Sequence, residues 1–207
     1  MIDIKNVRPV VVRKYEAGES SVTLNTEDYL FEQGIISFKE EVTTETANCL
    51  QDQLMVLWQM GKKDVKIYID SPGGDVVSGL PVCATMLMLE EKGMTITTIC
   101  RGKAASMASL LLMCGSRGHR KIHPHSRVMI HDMSTGMKGK YADLEEEMEF
   151  SKSLREELIE IISKRSNKTI DEVREEFSKK RDLWLDGKKA KDEWGVVDEI
   201  MTVDYSI

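Results

Sequence analysis

Cysteine is scarce in this chain: four residues among 207, at positions 49, 83, 100 and 114. Each lies in an apolar segment, and none has the close spacing of a zinc knuckle or a dithiol redox pair. They are therefore expected to be reduced core thiols. Positive charge is not concentrated either. The 29 Lys and Arg are spread along a chain with 35 Asp and Glu and a formal net charge of -6. That leaves no electrostatic footprint for a phosphate backbone, so nucleic acid is excluded as an expected partner. Long apolar runs are missing as well. The start carries Asp3, Lys5 and Arg8 instead of the apolar stretch of a signal peptide, and nothing later is apolar for long enough to span a bilayer. A soluble cytoplasmic protein without a membrane partner is expected. Proline is rare (4), and there is no repeat, low-complexity tract or flexible linker.

What is present suffices for one core. With 41% hydrophobic residues, 207 positions match a single domain, 1–207, and fall short of two of ordinary size. Tyr29 to Phe38 reads as a strand. A helix follows from Thr43 or Thr44 to Gly61, burying Ala47, Leu50, Leu54, Leu57 and Trp58. Val65 to Ile69 is a second strand, stopped by Ser71-Pro72-Gly73-Gly74, and a helical stretch then runs toward Gly93. Pro81 is awkward there unless it lies in the first turn, where a missing N–H costs little. Met86 and Met88 read as flexible gap-fillers. Thr95 to Cys100 is a β-branched strand, Gly102 to Ala105 a turn, Ser106 to Cys114 a buried helix capped by Gly115, and Arg127 to His131 a short strand. Strands alternating with helices point to an α/β architecture with crossover connections.

Tyr141 to Arg165 is different in kind. Leu144, Met148, Leu154, Leu158 and Ile161 are set at helical spacing among many charges. This is either a projecting arm or an amphipathic surface helix. Thr169 and Glu172 form a capping box that opens another helix.

Three features converge on acyl transfer. Gly73-Gly74 lets the backbone come close to a ligand with a free N–H, although most such dipeptides are only tight turns. Ser106 stands among Gly102, Ala104, Ala105 and Ala108 at a strand-to-helix junction. Its Oγ is thus accessible, and the first-turn N–H groups are free to bind an oxyanion. An ordinary N-cap serine would look the same. His131 ends the apolar run Val128-Met129-Ile130, at the rim of a sheet, where a base with a pKa near ~6.5 could take the serine proton. His119, His123 and His125 lie in a polar loop and read as surface residues, so neither a metal nor another cofactor is expected. As the acid, Asp132 would point away from His131 if the strand continues, and Asp186 reads as the N-cap of the last helix. Asp182 is the better candidate.

From Tyr29 to Ile200 these motifs resemble the Clp protease family of proteolytic subunits. The segments that carry the likeness are Tyr68-Ile69-Asp70-Ser71-Pro72-Gly73-Gly74, Gly102-Lys103-Ala104-Ala105-Ser106-Met107-Ala108, Ser126-Arg127-Val128-Met129-Ile130-His131 and Gly195-Val196-Val197-Asp198. The resemblance implies a crotonase-like α/β fold of strand-turn-helix units, with 141–165 as a protruding handle helix. It implies Ser106 as nucleophile, His131 as base, and Gly74 and Met107 as donors of the oxyanion-hole N–H groups. Arg181-Asp182 followed by Trp184 is similar to the segment holding the family's acid, with about two extra residues after Thr169. Seven-membered rings stacked in pairs as a tetradecamer would enclose the sites and admit unfolded polypeptides or small peptides. A Clp unfoldase of the AAA+ class would be a further partner.

The chain departs from the family in three places. Asp132-Met133 follows His131 where the family has Gln-Pro, the Gly-rich segment around Gly136 and Gly139 is shortened, and the stretch 1–28 lacks the usual pattern. Alternatives are a catalytically silent subunit, a phage head-maturation protease, a crotonase-type acyl-CoA enzyme, or a Ser-Lys enzyme using Lys103.

Overall fold

The computed structural model describes residues 10–13, 22–134, 136 and 140–202. Most of the divergent 1–28 segment, and Gly139, lie outside the described residues. Within that segment β1 (Val10–Arg13) and β2 (Val22–Asn25) form an antiparallel pair.

The expected strand from Tyr29 to Phe38 is only half correct. Thr26–Glu32 is helical (α1), and β3 is confined to Ile35–Phe38 after a reversal at Gly34, whose φ is +75°. A short apolar run does not distinguish a helix turn from a strand. α2 (Thr44–Gln59) starts at Thr43 with a reciprocal Thr43–Thr46 capping box and buries Ala47, Leu50, Leu54 and Leu57. Cys49 faces the other way and is exposed, unlike the buried Cys83, Cys100 and Cys114. Burial pushes the Cys100 thiol up to about 12. β4 (Asp64–Ser71) leads through Pro72-Gly73-Gly74 into α3 (Val76–Glu91), N-capped by Asp75. Pro81 is the sixth residue of α3, not in its first turn. It is exposed, and so is Val77, the residue whose carbonyl it leaves without a helical donor.

β5 (Thr95–Ala105) is longer than expected, because Gly102 to Ala105 continues the strand and does not turn. Its first half pairs with β6 (Arg120–Ile122) and its last three residues with β7 (Arg127–Ile130). Gly102, at φ +115°, sits where the strand changes partners. A Cβ there would lie 2.3 Å from the Asp70 carboxylate, which accepts the Lys103 N–H at 3.0 Å.

α4 (Met107–Met113) follows, buried along its length. Gly115 does not close it with a left-handed residue. It is small because a Cβ would meet Thr98 Oγ1 at 2.2 Å. The rest comprises α5 (Tyr141–Arg165), α6 (Ile170–Ser178, capped by Thr169 and Glu172), β8 (Leu183–Leu185), a π-helical segment (Lys189–Glu193) and β9 (Glu199–Ile200). The order β3-β4-β5-β6-β9 is parallel throughout, and β7 branches from β5 to pair antiparallel with β8. This is the mixed α/β architecture expected for the Clp protease fold. Strand termini of one polarity gather at one edge, where sites form in open parallel sheets.

α5 is buried toward its C-terminal end and exposed toward its N-terminal end. Leu158, Ile159 and Ile162 are buried against the body, while Met148 and Phe150, nearer the N-terminus, are 49% and 55% exposed.

Candidate active site

The register of β5 with β7 brings the serine and the histidine together. Ala105 pairs with Met129, and the Ser106 N–H donates to the Met129 carbonyl at 2.9 Å. The Ser106 carbonyl accepts from both the N–H and the Oγ of Ser109, at 2.9 and 2.7 Å. Bonds on both sides hold Ser106 at φ 53°, ψ -127°, a conformation that costs a residue with a Cβ about 1–3 kcal/mol and persists only when its surroundings over-determine it. The strained turn lifts the side chain off the helix. Ser106 Oγ caps nothing in α4 and instead lies 2.8 Å from His131 Nε2.

The two glycines after Pro72 have separate reasons. A Cβ on Gly73, φ +89°, would lie 2.4 Å from the Ala105 carbonyl and 2.7 Å from Ser106 Cβ, so only glycine lets this turn lie against the serine. Gly74 forms a parallel bridge with Val42, in which the Val42 N–H donates to the Gly73 carbonyl and the Asp75 N–H donates to the Val42 carbonyl, each at 2.8 Å. That pattern skips Gly74, so its own N–H points away from Val42. Gly74 lines a cleft of about 320 Å³ together with Ser106, His131, Met133, Glu147 and Phe150. Met107 opens α4, where first-turn N–H groups have no helical acceptor.

Beside the serine is a smaller recess of about 20 Å³ lined by Val76, Leu110, Ile130, Met133, Leu158 and Phe177. Met133 walls both spaces, and its flexible thioether can adjust to an occupant.

The three acids are separated cleanly. Asp132 turns to α5, where its carboxylate accepts Arg155 Nε at 2.9 and 3.0 Å. Asp186 caps the turn ahead of the π-helical segment by accepting the Lys189 N–H at 2.9 Å, which holds its carboxyl below its ordinary value. Asp182 is the one beside the base, with Oδ1 3.9 Å from His131 Nδ1, beyond hydrogen-bond distance, and its side chain 57% exposed. Lys103 is exposed, and the bond to Ser106 Oγ is made by His131. Among the described residues no group of three His, Cys, Asp or Glu could hold a metal, and no helix is long and apolar enough to cross a membrane.

Two features escaped the sequence reading. Ser109 was legible only as a small neighbour, and its bonds to the Ser106 carbonyl depend on the strained turn. The pairing of Glu176 with Arg181, beside Asp182, had no signal, because it forms across a helix end.

A family model described as Clp protease matches residues 17–204. The chain is 40% identical over 168 residues to an ATP-dependent Clp protease proteolytic subunit of Bacteroides fragilis, covering 81% of this chain and 78% of that one. It is also 40% identical over 168 residues to the subunit of the same name from Porphyromonas gingivalis, covering 81% and 73%. To ATP-dependent Clp protease proteolytic subunit 1 of Shouchella clausii it is 36% identical over 196 residues, 94% of this chain and 97% of the relative. The chain belongs to the Clp protease family, a family of serine-type peptidases.

Proposed function

We propose that this chain is a self-assembling endopeptidase subunit, one peptidase unit over 1–207, that cleaves unfolded polypeptides and peptides through Ser106, His131 and Asp182. The observation that carries the reading is the 2.8 Å contact of Ser106 Oγ with His131 Nε2 at the floor of a cleft. With Nε2 facing the serine, the imidazole acts as base when its proton resides on Nδ1, the nitrogen on the Asp182 side. Attack on a carbonyl passes the Oγ proton to Nε2, and the imidazolium returns it to the leaving amine. The developing oxyanion falls to the N–H groups of Gly74 and Met107.

The words ATP-dependent in the names of the relatives support an ATP-using Clp unfoldase as partner, and a cytoplasmic setting belongs to the same proposal. Paired heptameric rings, contacting through the 141–165 handle, would confine the sites so that only unfolded chains reach them. The test is labelling by a fluorophosphonate together with turnover of a short fluorogenic peptide. Both should be abolished in Ser106→Ala, and unchanged turnover in that variant refutes the reading.

A further inference from the structure

We propose that Glu176 is a positioning residue for this site, fixing the turn that presents Asp182 to His131. The inference rests on the reading of Ser106, His131 and Asp182 as nucleophile, base and acid. α6 ends at Ser178, and β8 begins at Leu183, paired with Ile130. In the link, Lys180 adopts φ 49°, a left-handed conformation unfavourable to any residue with a Cβ. Such a conformation persists where the surrounding structure over-determines it.

Glu176 is part of that surrounding structure. Its Oε1 accepts from Arg181 Nε at 3.2 Å and Nη2 at 3.1 Å, and its Oε2 accepts from Lys179 Nζ at 2.7 Å. One carboxylate thus holds the residues on either side of Lys180. The backbone agrees, since the Lys179 N–H donates to the Glu176 carbonyl and the Lys180 N–H to that of Phe177. Asp182 is the next residue after Arg181.

The position of this carboxylate is unusual for a surface ion pair. Glu176 lies on the same face of α6 as Val173 and Phe177, and its side chain is only 11% exposed, against 41% for Lys179 and 60% for Arg181. Burial alone would raise its carboxyl; the bonds from Lys179 and Arg181 outweigh burial and keep it below its ordinary value. Exposed ion pairs contribute little, whereas a carboxylate on a core-facing stripe is retained only with its partners in place.

The experiment is a double-mutant cycle on the full-length protein with a short fluorogenic peptide. Glu176→Gln is expected to lower kcat by about 10- to 100-fold with KM nearly unchanged, the scale of an ångström misplacement of a reacting group. In an Asp182→Asn background the same change should cost less than about threefold, because its effect passes through the missing acid. Arg181→Gln, at an exposed position, should reproduce both results and carries the test if Glu176→Gln does not fold. A normal kcat in the folded variant, or an undiminished loss in the Asp182→Asn background, overturns the inference. If Asp182→Asn itself is fully active, the reading of the acid fails and the inference with it. A slow Asp182→Asn beside a normal Glu176→Gln defeats the inference alone.

Discussion

His131 and Asp182 face each other one step beyond the end of an antiparallel ladder. Ile130 pairs with Leu183 in β7 and β8, so the next position along β7 is opposite the one preceding β8. Opposed residues share a face, with Cβ atoms about 5 Å apart, which accounts for the 3.9 Å between Nδ1 and Oδ1. Asp182→Asn is therefore expected to lower kcat by about 10⁴-fold without unfolding the protein, on the scale of the serine-protease triad. Asp186→Asn should do far less, since asparagine still caps the turn through Lys189. Peptide turnover by the two variants checks the assignment, and the reverse ranking would refute it.

Ser106 gives a prediction in which activity and stability part. Ser106→Ala and Ser106→Gly should both abolish turnover, but glycine tolerates φ 53° and alanine does not. After the entropy glycine loses on folding, Ser106→Gly should be the more stable of the two by about 1 kcal/mol. Comparison of their thermal midpoints decides it; equal midpoints would mean that the turn stores no strain.

For the base, His131→Ala is expected to be as damaging as Ser106→Ala, because nucleophile and base act as a unit. Lys103→Met should be mild. Burst titration with a fluorophosphonate separates the two assignments, and a lethal lysine change would replace the histidine with a Ser-Lys dyad.

The sequence was most readable where local chemistry decides structure. The start of α2 near Thr43, the capping box of Thr169 and Glu172, the apolar stripe of α2 and the full extent of α5 follow from patterns within one segment. Elements that exist only through a neighbour were missed. β6, β8 and β9 have two or three residues each, too few for a period, and form because adjacent strands offer partners. In the sequence Gly102 reads as a turn because glycine usually breaks strands, yet in the fold it makes room for the Asp70 carboxylate of the next strand. In the candidate site, the residue types around Ser106 and His131 were legible from one serine among small neighbours and one histidine ending an apolar run. Glu176 was not, because its use depends on the left-handed turn at Lys180.

Acid sensitivity should be concentrated at Arg120 and Asp198. Arg120 is 3% exposed and donates through Nε and Nη2 to the Asp198 carboxylate at 2.9 and 2.5 Å. Burial would raise the Asp198 carboxyl, but the bonds from Arg120 prevail and lower it. A carboxyl depressed in the folded state contributes stability that is complete above its unfolded value, about 3.9, and is lost as pH falls through the lower folded value. Asp198→Ala leaves a buried guanidinium unpaired and should destabilise by about 3 kcal/mol at neutral pH, at the low end for a broken buried pair because Asp198 is 22% exposed. The gap to wild type should narrow below about pH 4. Thermal midpoints measured across that range test it, and a gap independent of pH would place the loss in packing.

The last expectation concerns assembly. α5 has 25 residues, about 37 Å at 1.5 Å per residue, and its C-terminal half is tied down firmly. Leu158, Ile159 and Ile162 are buried, Arg117 donates to the Lys164 carbonyl, and Arg165 donates to the carbonyls of Met113, Cys114 and Gly115. The other half leaves Met148 and Phe150 exposed among charges. A helix draws most of its stability in a protein from a buried face, so this half needs a cover. If the subunit self-assembles as proposed, the cover would be the same helix of a second copy, and a two-fold contact would repeat any defect symmetrically around the particle. Met148→Glu should therefore split the particle into half its native mass. Leu154 and Phe150 are unsuitable for the test because both line the cleft with Ser106 and His131. Glu145→Gln, on the same helix, should leave the mass unchanged. Native mass measurements decide the matter: if Met148→Glu keeps the wild-type mass and thermal midpoint, the exposed half of α5 is not the ring contact and the chamber must close through another surface.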